Sequence, residues 1–184
     1  MGLDISIYRE VIPLEMPPGI DFNTREWDEY NEKNGVIHPG NDPLYLDWVG
    51  NHQEVAGDYQ DGLYQGYYSE GFRAGSYSGF DNWKVLLSMI VDENSNTKDW
   101  KERPFIALLG MGVEGFIGYP MTSKLCNEFR GRREEVETKS DLIMMGFIEG
   151  KTMVMSERER FLDRYDSWER GFCLTKEEGI LLFH

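Results

Sequence analysis

Trp83, Leu86, Leu87, Ile90 and Val91 recur at i, i+3, i+4, i+7 and i+8, which places five large apolar side chains on one helical face. Ser78, with Asp81 three residues on, resembles a capping box in which Asp replaces Glu. The spacing predicts a helix over 79–91 that buries Trp83, Leu87 and Ile90. A second such face, Phe161, Tyr165, Trp168 and Phe172, follows a capping pattern at Ser156 and Glu159. Between them "PMTSKLCNEFRGRREEVE" predicts a helix starting near Pro120, a residue suited to a first helical turn. Alternation with period two occurs in "LDISIY", which predicts a first strand. "RPFIALLG" reads as a buried strand, and "EEGILLFH" as a turn followed by a strand. The order β…α-β-α-α-β predicts one α+β domain over 1–184, with a mixed or antiparallel sheet and three to four helices.

Elsewhere the pattern weakens. Over 13–40 only "TREWDEYNEKN" suggests a short helix, and 41–75, rich in Gly, Asp and Tyr, predicts turns and short strands. "SDLIMMGFIEGKTMVM" is apolar and Met-rich, which suits a helical extension or a partner surface. A hydrophobic content of 40 % over 184 residues is enough to bury a sizeable core. The net charge of -14 repels nucleic-acid phosphates and anionic membrane, so no broad DNA-binding face is expected. A single Arg or a helix terminus can still hold a small anion. Neither a signal peptide nor a membrane span is expected, since the start lacks a basic region followed by an apolar run. Gly2 and Ser6 meet a minimal myristoylation pattern, but a buried first strand accounts for them better. Cys126 and Cys173 are too few for a disulfide framework, so the thiols are expected reduced, in the cytoplasm.

Several motifs dissolve on inspection. Gly110, Gly112 and Gly115 spell G-x-G-x-x-G, with Glu134 about 20 residues on, as in a dinucleotide site. Gly118 and Pro120 interrupt the helix that should follow, and ordered βαβ alternation is missing. A tight turn between two strands is the better expectation. Asp92, Asn94 and Asn96 mimic a calcium loop, but Thr97 stands where Gly is required and Arg103 where Glu is required. His38, His52 and His184 share no ligand spacing, and a zinc site would need them assembled from afar with Asp47 or Asp58. Cys126 suits packing better than nucleophilic attack, and neither G-x-S-x-G nor a P-loop lysine motif is present. No metal and no cofactor is expected.

"SEGFRAGSYSGFDNW" asks for a different account, because so many flexible residues gain a fold little. It sets Arg73, Ser76, Tyr77 and Ser78 just ahead of a helix N-terminus, where free N–H groups and the helix dipole favour an anion. Arg73 can add a charge-assisted contact, and Phe72 or Tyr77 can stack on a base. The competing account has the glycines making turns, Ser78 only capping, and Arg73 paired with Glu70 or another acid.

"MGLDI", "FRAGSYSGF" followed by Trp83, "EGFIG…SKL…F" and the closing "W…F…EEGILLFH" together resemble a family of phage- and prophage-encoded proteins. The likeness covers about half of the chain and implies a setting, the bacterial host cell, rather than an activity. It implies shared residues at Asp4, Arg73, Ser76, Tyr77, Ser78, Trp83, Glu114, Gly115 and Gly118, and additions at about 24–57 and 140–156. Asp4 and Glu114 could then converge with Arg73, or could simply satisfy buried backbone donors. Three readings result. The first is a non-enzymatic protein that holds a phosphate-bearing ligand, such as a nucleotide immune signal, through a Gly/Ser-rich loop. The second is an acidic DNA mimic that occupies a host protein. The third is a hydrolase using Asp4, Glu114 and a histidine. A homo-oligomer is compatible with each.

Overall fold

The computed structural model describes residues 2–15, 19, 25–46, 53–91, 104–112, 115–146 and 155–184. Its centre is the strand β1 (Gly2–Pro13), whose alternating residues face two ways. Leu3, Ile5 and Ile7 are buried on one face, and Asp4, Ser6 and Tyr8 lie on the other. β1 pairs with β3 (Gly62–Ser76) on one side and with β5 (Ile180–Phe183) on the other. β2 (Asp42–Leu46) flanks β3, and β4 (Gly115–Gly118) flanks β5. Among the described residues this makes a five-stranded sheet of order β2-β3-β1-β5-β4, antiparallel throughout. The fold is a single α+β domain, as the order of elements predicts.

Helices cover the Leu3–Ile7 face. α3 (Tyr77–Ile90) buries Phe80, Trp83, Leu87 and Ile90, and α7 (Met155–Leu174) buries Phe161, Tyr165, Trp168 and Phe172. The Trp168 ring stacks on Phe80 and Trp83, and Trp83 Nε1 donates to the Phe161 carbonyl at 3.3 Å, tying α3 to α7. Tyr165 Oη donates to the Phe129 carbonyl at 2.7 Å, which ties α7 to α5 (Met121–Gly131). On the opposite face a smaller cluster forms around Tyr8, Leu44, Leu46, Tyr59, Tyr64, Phe116 and Ile180. It includes Ala56 of the short α2 (Gln53–Ala56). The expected helix in "TREWDEYNEKN" is α1 (Arg25–Asn34), with Trp27 buried. The segment 24–57 thus supplies an edge strand and core residues to the sheet.

Four expectations are corrected. "RPFIALLG" is the helix α4 (Pro104–Gly110), not a strand. A short apolar run is compatible with either when all sides are buried, and Pro104 at the first helical position favours the helix. The glycine-rich 62–76 is one long strand, not turns and short strands. Its glycines allow close approach: a Cβ on Gly71 would lie 2.9 Å from the Ile5 carbonyl oxygen. The helix from Pro120 is two, α5 and α6 (Arg133–Gly146), broken at Arg132, so helices are more numerous than expected. Lastly, Cys126 on α5 and Cys173 on α7 form a disulfide with Cα atoms 4.9 Å apart. The bridge joins positions 47 residues apart, a proximity made only by the packing of α5 on α7. The redox basis for a cytoplasmic setting falls with it.

Candidate anion-binding site

The stretch carrying Arg73, Ser76, Tyr77 and Ser78 is the end of β3 and the first turn of α3, so the ligand loop anticipated there is a strand-to-helix junction. The cap differs too. Ser76, not Ser78, is the N-cap: its backbone is extended (φ -73, ψ 161) and its Oγ accepts from the Gly79 N–H at 3.0 Å. Ser76 is the last strand residue and already has the extended backbone a cap requires, whereas Ser78 is helical. Ser78 Oγ lies 3.3 Å from Ser76 Oγ, and Asp81 turns instead to Lys84 Nζ at 3.1 Å. The remaining N–H groups of this first turn have no acceptor within the helix.

Arg73 sits opposite Asp4 in the β1–β3 register, with Nη1 3.6 Å from Asp4 Oδ1. Both side chains are more than half exposed, at 63 % and 56 %, so this pair contributes little to stability and leaves the guanidinium accessible. Asp4, not Glu70, is the acid beside it; Glu70 is held by Arg170 of α7. The Arg73 guanidinium lies directly against Gly2, the register partner of Ser76: a Cβ on Gly2 would fall 1.8 Å from Nη2. Phe72, on the alternate side of the strand, packs edge-on against Trp168 with ring centroids 5.2 Å apart. It and half-buried Tyr77 pack against the main core. Neither is a free stacking platform.

A second arginine reaches the junction. Arg164 of α7 donates from Nη1 to the Gly79 carbonyl at 3.1 Å, within the first turn of α3. Its guanidinium also lies against Gly75, whose φ of +118 suits glycine and where a Cβ would stand 2.8 Å from Nη2. Gly2 and Gly75 are therefore the empty spaces that admit two guanidinium groups. Arg164 placed against the positive end of α3 is unfavourable by itself, and an anion bound between that guanidinium and the helix end reverses the sign. Arg164 carries no local mark in the sequence beyond its place next to Tyr165 on a helix whose apolar face was legible.

The other sequence candidates scatter. Glu114, with His52, Asp47 and the 92–103 loop, lies outside the described residues. Asp4 and His184 exchange backbone hydrogen bonds, and His184 Nε2 stands 3.0 Å from Ser6 Oγ, so Asp4, Ser6, Arg73 and His184 share one open sheet face. His38 is remote, its backbone N–H donating to Gln65 Oε1 at 2.6 Å. Among the described residues no three His, Cys, Asp or Glu side chains gather as a metal site would need. Gly110 ends α4 and Gly115 opens β4, so the glycine motif joins a helix to a strand; the expected turn between two strands is corrected, and the dinucleotide order of strand then helix is reversed. No described helix is long and apolar enough to cross a membrane. The chain matches no family model, no curated protein and no solved structure.

Proposed function

We propose that the chain binds a phosphate-bearing small ligand at the β3–α3 junction and releases it unchanged, a nucleotide being the class in view. The observation that carries this reading is Arg164 of α7 lying over Gly75 at the N-terminus of α3, beside the Ser76 hydroxyl, with Arg73 over Gly2 on the other face of the same strand end. Planar guanidinium groups and first-turn N–H donors are the chemistry that recognises phosphate oxygens. In a chain of net charge -14, a local cationic junction gives an anion one place to settle.

The setting proposed is the cytoplasm of a phage-infected bacterium, where sequestering a nucleotide signal would blunt a host response. That setting is supported by the sequence resemblance alone, and the Cys126–Cys173 bridge pulls against it, since disulfides are rare in the cytosol. The test is to incubate the protein with a nucleotide-containing cell extract, wash, denature and identify what is released. Intact nucleotide supports the proposal. Altered nucleotide points to catalysis on the Asp4–Ser6–His184 face, and no nucleotide at all favours the acidic host-protein mimic.

A further inference from the structure

The disulfide is asymmetric in its surroundings. Cys126 is 2 % exposed and belongs to the core, whereas Cys173 is half-buried and lines an open cavity of about 510 Å³. Arg130, Asp166, Glu169, Arg170 and Leu174 complete the lining. The charges there are balanced and mutually held: Arg130 lies 3.6 Å from Glu169, Arg170 pairs with Glu70, and Asp166 with Arg133. Arg130, Arg170 and Asp166 are each more than half exposed, so these pairs contribute little energy that a ligand's charges would have to replace.

We propose that this cavity admits a small zwitterionic thiol, one carrying carboxylates and an ammonium group in the manner of a cysteinyl peptide, and that Cys173 is its point of attack. Arg130 and Arg170 receive the carboxylates and favour the thiolate form of the incoming group; Asp166 and Glu169 receive the ammonium. Thiol–disulfide exchange requires the nucleophile to approach the attacked sulfur opposite the leaving sulfur. With Cys173 toward the cavity and Cys126 toward the core, only attack on Cys173 meets that condition from solvent. The thiolate sulfur forms a new S–S bond to Cys173 Sγ as the Cys173–Cys126 bond breaks. The electron pair leaves on Cys126 Sγ, which takes a proton and remains as a buried thiol. The incoming thiol is oxidised to the disulfide level and Cys126 is reduced, so electrons balance. Nothing in this step depends on the proposed ligand site.

The experiment uses the full chain, oxidised and folded, exposed to glutathione and in parallel to cysteamine, which lacks carboxylates. Samples are acid-quenched and mapped by peptide mass spectrometry, with free thiols blocked after denaturation. The expected result is glutathione on Cys173 alone, Cys126 recovered as a free thiol, and glutathione reacting several-fold faster than cysteamine once each rate is corrected for its thiolate fraction. In Arg130→Gln/Arg170→Gln that preference disappears while the choice of Cys173 remains; an unfolded variant would instead react at both sulfurs. Adducts on Cys126, equal labelling of both cysteines, no adduct before denaturation, or two free thiols at the outset would overturn the proposal. So would cysteamine matching glutathione.

Discussion

Gly2 and Gly75 each leave the space that a guanidinium occupies, so at these positions a missing side chain is the structural feature. Gly118 and Gly112 show the two extremes of what an added side chain would meet elsewhere. A Cβ on Gly118 would meet the Ala56 carbonyl oxygen at 2.2 Å and Tyr59 Cδ2 at 2.5 Å, whereas one on Gly112 would meet nothing within 4 Å. Gly118→Ala is therefore expected to destabilise the fold by about 1–3 kcal/mol, and Gly112→Ala by well under about 1 kcal/mol, in urea unfolding. Tyr165 makes a second residue-level prediction. Burial raises its phenol pKa above the ordinary 10.0, with Glu169 reinforcing and Arg133 and Arg132 partly offsetting. The folded chain then keeps a proton that the unfolded chain loses near pH ~10, so stability is intact below that pH and falls as pH rises through it. Tyr165→Phe should flatten the alkaline limb of the stability profile; an unchanged slope would exclude Tyr165 as its source. Large apolar residues such as Trp83 and Tyr165 were legible from spacing. Arg164 was not, because its partner Gly79 is 85 residues away and only the packed helices bring them together.

α3 and α7 both form over the apolar faces that periodicity marks in the sequence. Where the run is short and apolar on every side, as in α4, the strand and helix patterns coincide and the sequence alone misassigns it. β3 fails for the opposite reason: its glycines mimic turns, yet pairing with both β1 and β2 supplies the order they lack alone. The shifted cap of α3 is directly measurable. Ser76→Ala should cost about 1 kcal/mol by removing the acceptor for Gly79 N–H, and Ser78→Ala no more than a few tenths. Equal losses, or a larger one at Ser78, would return the cap to the position that the sequence pattern suggested.

Among the described residues the molecule is an antiparallel sheet with one face under α3, α5 and α7, and on the other face Asp4, Arg73 and His184 are exposed and Ser6 half-buried. α7 is the element that binds these parts together, since it stacks Trp168 under α3, carries Arg164 to the junction and is bridged to α5. Closing a loop of 47 residues through Cys126–Cys173 restricts the unfolded chain, and its removal in Cys126→Ser/Cys173→Ser should cost about 4 kcal/mol in the chain-entropy model. Thermal unfolding of oxidised and reduced protein checks this, and coincident curves would mean that the bridge contributes nothing. The α+β class, the strands β1 and β5 and the apolar faces of α3 and α7 were thus open to inference from sequence, but not the bridge or the second arginine, which depend on long-range packing. The most direct measurement of the anion site is calorimetric titration of wild type, Arg73→Ala, Arg164→Ala and Arg164→Lys with inorganic phosphate and with linear and cyclic nucleotides. Each alanine variant should bind about 10- to 150-fold more weakly, from the loss of a charge-assisted contact of about 1.5–3 kcal/mol. Arg164→Lys should recover little of that, because an ammonium lacks the planar fork. Absence of heat with wild type, or nucleotide affinity unchanged in both alanine variants, would contradict an anion site at the β3–α3 junction.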